Sequence, residues 1–246
     1  MEVFRANLLN ASKAPAMVHG QRTGGPLPLQ NILRAIVECP VAHPSKEALA
    51  DFGVKSLWHI TDIENVPGIM KVGLLSHRRA HAHQHPVDIS DADVQRWRRR
   101  PEPCHGRSLH DYAVTYINVR NPMLYKRKEQ QYRLCLLEID PLVLETRQFV
   151  FTDRNAAARQ ARFFNRLNDL DQLPWDVLRA RSWCEYPNGR QKRCAEVLVP
   201  DVIPARFIRH IWAFDPPAVK WLADQGCSAS ENAAHYFCMQ GEKAWH

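Results

Sequence analysis

A carboxylate follows three cations in the last third of the chain. Residues 188–200 read Asn-Gly-Arg-Gln-Lys-Arg-Cys-Ala-Glu-Val-Leu-Val-Pro, so Arg190, Lys192 and Arg193 precede Glu196. The apolar residues after Glu196 are typical of a short buried strand. An acid at the start of such a strand is either a solvated strand end, as most charged residues are exposed, or a fixed catalytic group beside an anion site. Both interpretations stay open on this stretch alone.

A second polar pair falls on a predicted strand. Residues 56–61 alternate between apolar and polar, which places His59 and Thr61 together on one face. Asp62 is a good N-cap for the helix that follows, and the dipole at a helix N-terminus favours anions. His59 and Thr61 are therefore candidates for ligand binding. The alternative for His59 is a hydrogen-bonded histidine of the core.

Arginines are concentrated at the end of a predicted helix, Asp91–Arg99. Acidic residues in its first turn and Arg96, Arg98 and Arg99 in its last turn match the helix dipole, and Pro101 terminates it. The pattern is consistent with a structural helix. The number of cations exceeds what the dipole requires, so the segment is also a candidate for binding an anion.

A histidine-rich segment lies between these two candidates, with His77, His81, His83 and His85. We interpret it as a mobile polar loop, because the helical H-x-x-x-H or paired-cysteine geometry of a zinc site is not evident, and zinc binding is the alternative. No metal is expected in this protein.

Composition and charge limit the class of protein. The 246 residues carry a net charge of +7, and 45% are hydrophobic, as in an ordinary globular chain. The excess of cations is unevenly distributed, which favours a polyanionic partner such as nucleic acid. Seven cysteines without a C-x-x-C pair indicate reduced thiols in a cytoplasmic protein. With no long apolar run and no signal-peptide core, we expect neither a membrane partner nor export.

The predicted elements must position these candidates. Short strands interrupted by single helices do not give the regular alternation of a doubly wound fold, and no G-x-G-x-x-G or P-loop motif is present. We predict an α+β mixed-sheet domain over residues 54–246 behind an N-terminal extension, 1–53. Further predicted elements are helices at Leu29–Val37 and Ala156–Arg166 and an edge strand at His235–Met239.

Several stretches together resemble a known family. They are Leu57–Ile69 with Gly73–Ser76, His110–Tyr125, Phe151–Ala157 and Lys192–Val199. In this order and spacing they are similar to the DarT family, the DNA ADP-ribosyltransferase toxins of DarTG toxin–antitoxin systems. The resemblance covers residues 56–214, and the ordered set of motifs is more specific than any one of them.

The resemblance implies an ADP-ribosyltransferase fold, a split mixed β-sheet with NAD+ in the cleft between its halves. Such enzymes cleave the bond between nicotinamide and ribose. In this family ADP-ribose passes to a base, guanine or thymine, of single-stranded DNA, and an antitoxin with ADP-ribosyl hydrolase activity removes it. The alternatives are the same fold acting on RNA or protein, or a catalytically silent nucleic-acid-binding module.

The resemblance also implies roles for individual residues. Glu196 becomes the catalytic carboxylate, which stabilises the positive charge that develops on the ribose. Arg98 is the preferred catalytic arginine, with Arg96 and Arg99 as alternatives. The predicted NAD+-binding residues are His59, Thr61, Asn65, Tyr112 and Tyr116. The predicted DNA-binding residues are Arg190, Lys192, Arg193, Arg120 and Asn155, with Trp183 and Tyr186 as aromatic residues flanking the unstacked base.

Two departures from the family pattern concern the acceptor. Cys194 stands where many members have glutamine, and Asn121 stands where others have serine in an Arg-Ser-Pro-Met-Leu motif. These differences leave NAD+ cleavage as the expectation and favour the guanine-modifying branch over the thymine-modifying branch.

Overall fold

The structure is a computed structural model that describes residues 44–232. The α-helices are α1 Pro44–Asp51, α2 Val66–Val72, α3 His77–His83, α4 Ala92–Trp97, α5 Pro122–Lys126, α6 Val143–Thr146, α7 Trp175–Arg179, α8 Gly189–Lys192 and α9 Pro216–Asp224. The strands are β1 Leu57–Asp62, β2 Leu74–Leu75, β3 Tyr112–Tyr116, β4 Leu134–Ile139, β5 Val150–Thr152, β6 Phe163–Phe164, β7 Glu196–Pro200, β8 Val202–Ile203, β9 Ile208–Ala213 and β10 Ser230–Glu231. Short 3-10 helices lie at Ile63–Asn65, Leu109–Asp111, Lys128–Arg133, Leu167–Gln172 and Ala205–Phe207.

Within residues 44–232, eight strands form one mixed sheet in the order β10-β9-β4-β1-β3-β7-β5-β6. The edge strand β10 runs parallel to β9, and the other neighbours pair antiparallel. The two remaining strands, β2 and β8, pair with each other in a small second sheet. The prediction of an α+β fold with a mixed sheet is confirmed.

The sheet is opened at its centre. Strand β1 pairs with β4 along its whole length, from Leu57 to Asp62, but meets β3 at a single pair, Trp58 opposite Tyr116. Beyond that pair the Nδ1 atom of His59 lies 2.8 Å from the carbonyl oxygen of Val114 and links the two strands in place of a backbone ladder. A cleft forms where β1 and β3 separate.

Both faces of the sheet are covered, which explains the apolar run in β4. Within this strand Leu134 and Leu136 join one hydrophobic cluster, while Cys135, Leu137 and Ile139 join another. Successive side chains of a strand point to opposite faces, so the two clusters lie on opposite sides of the sheet. The central strands are thereby fixed, and the cleft residues are attached to rigid elements.

The domain begins earlier than predicted. Leu49 of α1 is 1% exposed and belongs to the main core cluster, and the Ser45 hydroxyl donates a 2.8 Å hydrogen bond to Glu145. The predicted boundary at residues 53 and 54 is therefore too late, because α1 contributes to the core. The helix predicted at Leu29–Val37 and the strand predicted at His235–Met239 lie outside the described residues.

The helix predicted at Ala156–Arg166 is wrong. Arg154 and Arg162 both bind the buried carboxylate of Asp153, with Nε to oxygen distances of 3.1 Å in each case. These ion pairs fold the segment back, so that β6 pairs with β5 through Phe151 and Phe164. The ion pairs to Asp153 and the pairing of β5 with β6 outweigh the helical spacing of the alanines.

The histidine-rich segment is also different from the prediction. It forms helix α3 rather than a mobile loop, and the exposed cations on that helix pair with acids elsewhere in the chain. Arg78 binds Asp111 at 2.5 Å, and Arg79 lies 3.4 Å from Asp201. These contacts anchor α3 beside the sheet. Across residues 44–232, no helix has the length and apolar character needed to cross a membrane.

Candidate active site

Glu196 and Arg98 form a buried ion pair. The Nη1 atom of Arg98 donates to both carboxylate oxygens of Glu196, at 3.1 and 2.9 Å. Glu196 is 0% exposed and Arg98 is 4% exposed. A charge-assisted contact in such a dry setting is much stronger than the same contact at the surface. Glu196 is therefore a held group and not a solvated strand end.

The backbone around Glu196 is fixed by the end of β5. Its N–H donates to the Thr152 hydroxyl at 3.1 Å, and that hydroxyl donates onward to the carbonyl of Arg154 at 2.6 Å. Burial raises the pKa of the Glu196 carboxyl, whereas Arg98 and the N–H of Ala156 oppose the rise by favouring the carboxylate. The site can thus hold a charged carboxylate that also accepts a proton readily.

Of the three candidate arginines, Arg98 alone enters the site. It is the C-cap residue of α4, whose last turn leaves Arg96 and Arg99 exposed to solvent. The Nη2 atom of Arg98 is buried, and no residue of the 44–232 segment offers it a hydrogen-bond partner. A buried guanidinium nitrogen without an acceptor is costly, so this atom is suited to a ligand oxygen.

His59 is a neutral histidine at the wall of the cleft. Because Nδ1 faces the carbonyl of Val114, Nδ1 carries the proton and Nε2 is left as an acceptor. Burial lowers the pKa of His59 from 6.5 to about 4, and the hydrogen bond to Val114 only partly offsets this. The imidazole is therefore uncharged at neutral pH.

The titration of His59 provides a test of this arrangement. Between about pH 6.5 and about pH 4 the unfolded chain binds a proton here and the folded chain does not, so acidification across this window favours unfolding. We expect the ring to stay neutral at pH 5.5. NMR titration of the ring protons, assigned with a His59→Asn variant, measures this, and a midpoint at or above 6.5 contradicts it.

Thr61 and Asn65 form one hydrogen-bonded unit. The Asn65 amide donates to the Thr61 hydroxyl at 3.1 Å and to the carbonyl of Val87 at 2.9 Å. Its oxygen accepts from the N–H of Val87, also at 2.9 Å. Asn65 therefore attaches the loop that follows α3 to strand β1, in addition to lining the cleft.

The two candidate tyrosines differ in access. Tyr112 is 0% exposed, and its hydroxyl donates to Glu102 at 2.7 Å. Tyr116 is half-buried and lies directly opposite Glu196 in the register of β3 and β7. Burial raises the pKa of both phenols, and the nearby Glu196 carboxylate adds to the rise at Tyr116. Tyr116 thus has the ring that a ligand can reach.

The cleft has a volume of about 590 Å³. Eight of the predicted site residues line it, namely His59, Thr61, Asn65, Arg98, Tyr112, Tyr116, Asn155 and Arg190. Glu196 is not itself a lining residue, but it is hydrogen-bonded to Arg98, which lines the cleft. The elements β1, β3, β7 and α4 therefore bring the predicted NAD+ residues and the predicted catalytic pair to one place.

The prediction that Arg193 binds DNA is corrected by its surroundings. Arg193 is 4% exposed. Its guanidinium donates to the backbone carbonyls of Arg120, Val177, Leu178 and Ala180 at 2.8 to 3.0 Å. Burial lowers its pKa to about 10. The residue joins the end of α7 to the segment before α5, and its donors are not available to a phosphate.

The other cations of that stretch keep an outward position. Arg190 is exposed and Lys192 is half-buried, both on the short helix α8. The carbonyl of Gln191 on the same helix accepts from the N–H of Asn155 at 3.0 Å, which brings the predicted Asn155 to the same rim. Arg120 is half-buried and, among the described residues, is not part of the cleft lining, so its contact with DNA stays a prediction.

Gly189 allows α8 to pack closely against the backbone of Trp183. A Cβ atom at Gly189 would stand 1.9 Å from the carbonyl oxygen of Trp183, so no other residue fits there. Trp183 itself is 5% exposed and packs in the core, with the Arg193 guanidinium 5.9 Å from its ring centre. The prediction that Trp183 flanks an unstacked base is therefore wrong. Tyr186 is half-buried, and its contact with the base stays a prediction.

Cys194, one of the two departures from the family pattern, lies on the cleft lining. Burial, together with the nearby Glu196 carboxylate, raises the pKa of this thiol to about 12. The thiol is therefore protonated and unreactive at neutral pH.

One accessible aromatic residue of the cleft was missed. Trp97 is 63% exposed and lines the cleft at the end of α4, immediately before Arg98. A tryptophan placed among arginines on a surface helix is a signal that the sequence contained, because exposed tryptophan is uncommon away from binding surfaces.

Comparisons with known proteins agree with this geometry. Residues 58–223 match the family model described as ssDNA thymidine ADP-ribosyltransferase, DarT. The chain belongs to the DarT family. A DNA ADP-ribosyl transferase from Thermus sp. (strain 2.9) is 36% identical over 165 residues, which cover 63% of this chain and 79% of that relative.

Solved structures of DarT proteins share the fold. Thermus sp. 2.9 DarT in complex with ADP-ribosylated ssDNA has a TM-score of 0.67 at 27% identity, covering 75% of this chain and 97% of that one. The same Thermus DarT in complex with NAD+ has a TM-score of 0.64, also at 27% identity, over 75% of this chain and 98% of that one. A DNA ADP-ribosyl transferase–DNA ADP-ribosyl glycohydrolase fusion protein from Thermosipho africanus is 27% identical, covering 65% of this chain and 43% of the fusion.

Proposed function

We propose that this DarT-family enzyme transfers ADP-ribose from NAD+ to a thymine base of single-stranded DNA. The observation that carries the proposal is the buried Arg98–Glu196 pair beside a cleft of about 590 Å³. Family membership makes it an NAD+-dependent DNA ADP-ribosyltransferase. The description of the matching family as a thymidine transferase favours thymine over the guanine indicated by Cys194 and Asn121.

The reaction breaks the bond between C1′ of the ribose and the nicotinamide nitrogen. Positive charge develops on the ribose as this bond lengthens, and the Glu196 carboxylate stabilises it. A ring nitrogen of the base then bonds to C1′. The raised pKa of Glu196 suits the acceptance of the proton that the base gives up.

The dinucleotide is held by the residues on the cleft wall. The free Nε2 of His59 accepts a hydrogen bond from the ligand, and the Thr61–Asn65 unit fixes the adjoining loop. Tyr116 supplies the aromatic surface for the nicotinamide. Arg98 uses its unpartnered Nη2 atom for a substrate oxygen while Nη1 stays on Glu196.

The DNA strand follows the rim formed by α4 and α8. Arg190, Lys192 and Asn155 contact its backbone, which positions the strand without reading its sequence. Trp97 stacks on an unpaired base. Single strands can form this contact, whereas the bases of an intact duplex are already stacked on one another.

A competition assay tests the choice of acceptor. Labelled NAD+ is offered to the enzyme with single-stranded DNA, the matching duplex, single-stranded RNA of the same sequence and bulk protein in one mixture. We expect label on the single-stranded DNA. Label on RNA or protein instead, with DNA unmodified, contradicts the proposal.

Replacing Trp97 separates DNA binding from chemistry. We expect Trp97→Ala to raise the KM for single-stranded DNA by about fivefold to 150-fold, since stacking of one base contributes about 1–3 kcal/mol. The KM for NAD+ and the thermal midpoint should change little, because the ring is 63% exposed.

Steady-state kinetics with each substrate varied in turn measure this. Trp221→Ala is the matched control, because Trp221 is 37% exposed on α9 and is not part of the cleft lining. An unchanged KM for DNA in the Trp97 variant, or an equal rise in this KM in both variants, contradicts a contact between Trp97 and DNA.

The biological role follows from the proposed activity. We propose that the protein is the toxin of a toxin–antitoxin system and modifies DNA in the cytoplasm. A partner with ADP-ribosyl hydrolase activity then reverses the modification, and the fusion from Thermosipho africanus, which combines both named activities in one chain, supports this pairing. Induced expression should arrest growth, and co-expression of such a hydrolase should restore it.

A further inference from the structure

The two histidines of α3 that share a face converge on one carboxylate. His77 and His81 lie one helical turn apart, and the Nε2 atoms lie 4.0 and 3.7 Å from Oδ2 of Asp88. The candidate ligand atoms of all three residues lie within 4.8 Å of one another. His77 and His81 have the spacing H-x-x-x-H, and because the segment is helical this spacing places both side chains on the same face.

These separations are those of ligands and not of hydrogen-bonded partners. A hydrogen bond between imidazole and carboxylate needs about 2.7–2.9 Å, and neither histidine comes that close. Around a tetrahedral zinc ion with ligand bonds of about 2.0–2.1 Å, neighbouring ligand atoms are roughly 3.4 Å apart. A small rotation of the exposed side chains reaches this value.

Supporting residues orient the three ligands. The other oxygen of Asp88 accepts from the N–H of Ser90 at 2.8 Å, so Oδ2 is the oxygen left for the histidines. Asn65 binds both backbone polar groups of Val87 and thereby fixes the residue next to Asp88. His110 stacks on His77, with ring centres 4.4 Å apart, and is itself held by Gln95 at 2.9 Å. The hydrogen bond on the other Asp88 oxygen is of the kind that orients a metal-ligating carboxylate.

Neighbouring cations do not compete for Asp88. Arg78 and Arg79 of the same helix pair with Asp111 and Asp201. Arg98, which lines the same cleft, pairs with Glu196.

We propose that His77, His81 and Asp88 bind a divalent transition metal ion of the zinc type at the rim of the cleft. Two imidazoles and one carboxylate make a ligand set that suits Zn²⁺, and three protein ligands leave at least one coordination position open. All three residues line the cleft, so water or an anionic group of a bound molecule completes the coordination there. This proposal goes beyond the expectation that the protein binds no metal, which was based on a loop in this segment.

Metal binding is tested directly on the full chain without a histidine tag. The protein is stripped with EDTA and dialysed against Zn²⁺, and bound metal is counted in the wild type, in His77→Asn/His81→Asn and in His83→Asn/His85→Asn. The second pair is the matched control, since His83 and His85 are exposed in the same segment and are not part of the cluster. We expect the His77/His81 variant to bind one equivalent fewer than the wild type and the His83/His85 variant to match the wild type.

A second measurement identifies the ligands. With Co²⁺ as the probe, the wild type should show visible absorption of a nitrogen and oxygen site without thiolate charge-transfer bands, and Asp88→Asn should weaken the metal affinity about tenfold or more. The proposal is overturned if the wild type binds no Zn²⁺, if both double variants bind as much as the wild type, or if thiolate bands dominate. None of these outcomes depends on transferase activity.

Discussion

Glu196→Gln lowers the rate of ADP-ribose transfer to DNA by about a hundredfold to a thousandfold. The substitution keeps the size of the side chain and removes the charge that stabilises the oxocarbenium-like ribose, and losses of this order follow the removal of a single preorganised electrostatic group. NAD+ binding should persist, because the residues proposed to hold the dinucleotide, among them His59 and Tyr116, are unchanged. Single-turnover rates with labelled NAD+ and titration of NAD+ binding measure the two effects separately.

The same change also affects folding. Glutamine leaves the buried Arg98 without its counter-charge, and breaking a buried pair costs about 3–5 kcal/mol. The double variant Arg98→Gln/Glu196→Gln has no buried charge at this pair and should recover part of the lost stability while staying inactive. Glu185→Gln, at an exposed position, is the control and should change neither property. A folded Glu196→Gln enzyme with activity near the wild type would remove Glu196 from catalysis.

Arg193→Met destabilises the protein by about 3 kcal/mol or more without altering the DNA affinity of the folded enzyme. Methionine keeps much of the buried stem, but the carbonyls of Val177, Leu178 and Ala180 lose a charged donor, and each such hydrogen bond contributes about 1.5–3 kcal/mol. Denaturant unfolding at equilibrium measures the free energy of unfolding.

Arg190→Met is the matched comparison, three residues away on an exposed position. Its effect on the free energy of unfolding should stay within about 0.5 kcal/mol. Its affinity for single-stranded DNA should fall, and the slope of log affinity against log salt should become smaller by about 0.7. The reverse pattern, with Arg193→Met stable and reducing the salt slope, would restore Arg193 as a DNA contact.

The placement of Glu196 and His59 was predictable because both residues lie on regular strands. Strand alternation places His59 on a polar face, and an acid at the start of β7 follows from the apolar run behind it. The choice of Arg98 over Arg96 and Arg99 came from the family resemblance. Arg98 is buried where it pairs with Glu196, whereas Arg96 and Arg99 on the same segment are exposed.

The remaining differences arise from contacts between distant segments. Arg190 and Arg193 look equivalent in the sequence. Arg193 is buried because α8 packs closely against Trp183 and because carbonyls at the end of α7 accept hydrogen bonds from its guanidinium. The helix at residues 77–83 is fixed by ion pairs to Asp111 and Asp201, which no local pattern reveals. Local periodicity does not contain these tertiary contacts.

The most direct measurement is mass spectrometry of the nucleosides released from a mixture of single-stranded oligonucleotides after incubation with NAD+ and the enzyme. The predicted result is a thymidine that carries one ADP-ribose, absent when NAD+ is omitted and absent with Glu196→Gln. A modified guanosine would support the DNA transferase activity and would show that the acceptor base is guanine and not thymine. Consumption of NAD+ with every deoxynucleoside unmodified would contradict the proposed function.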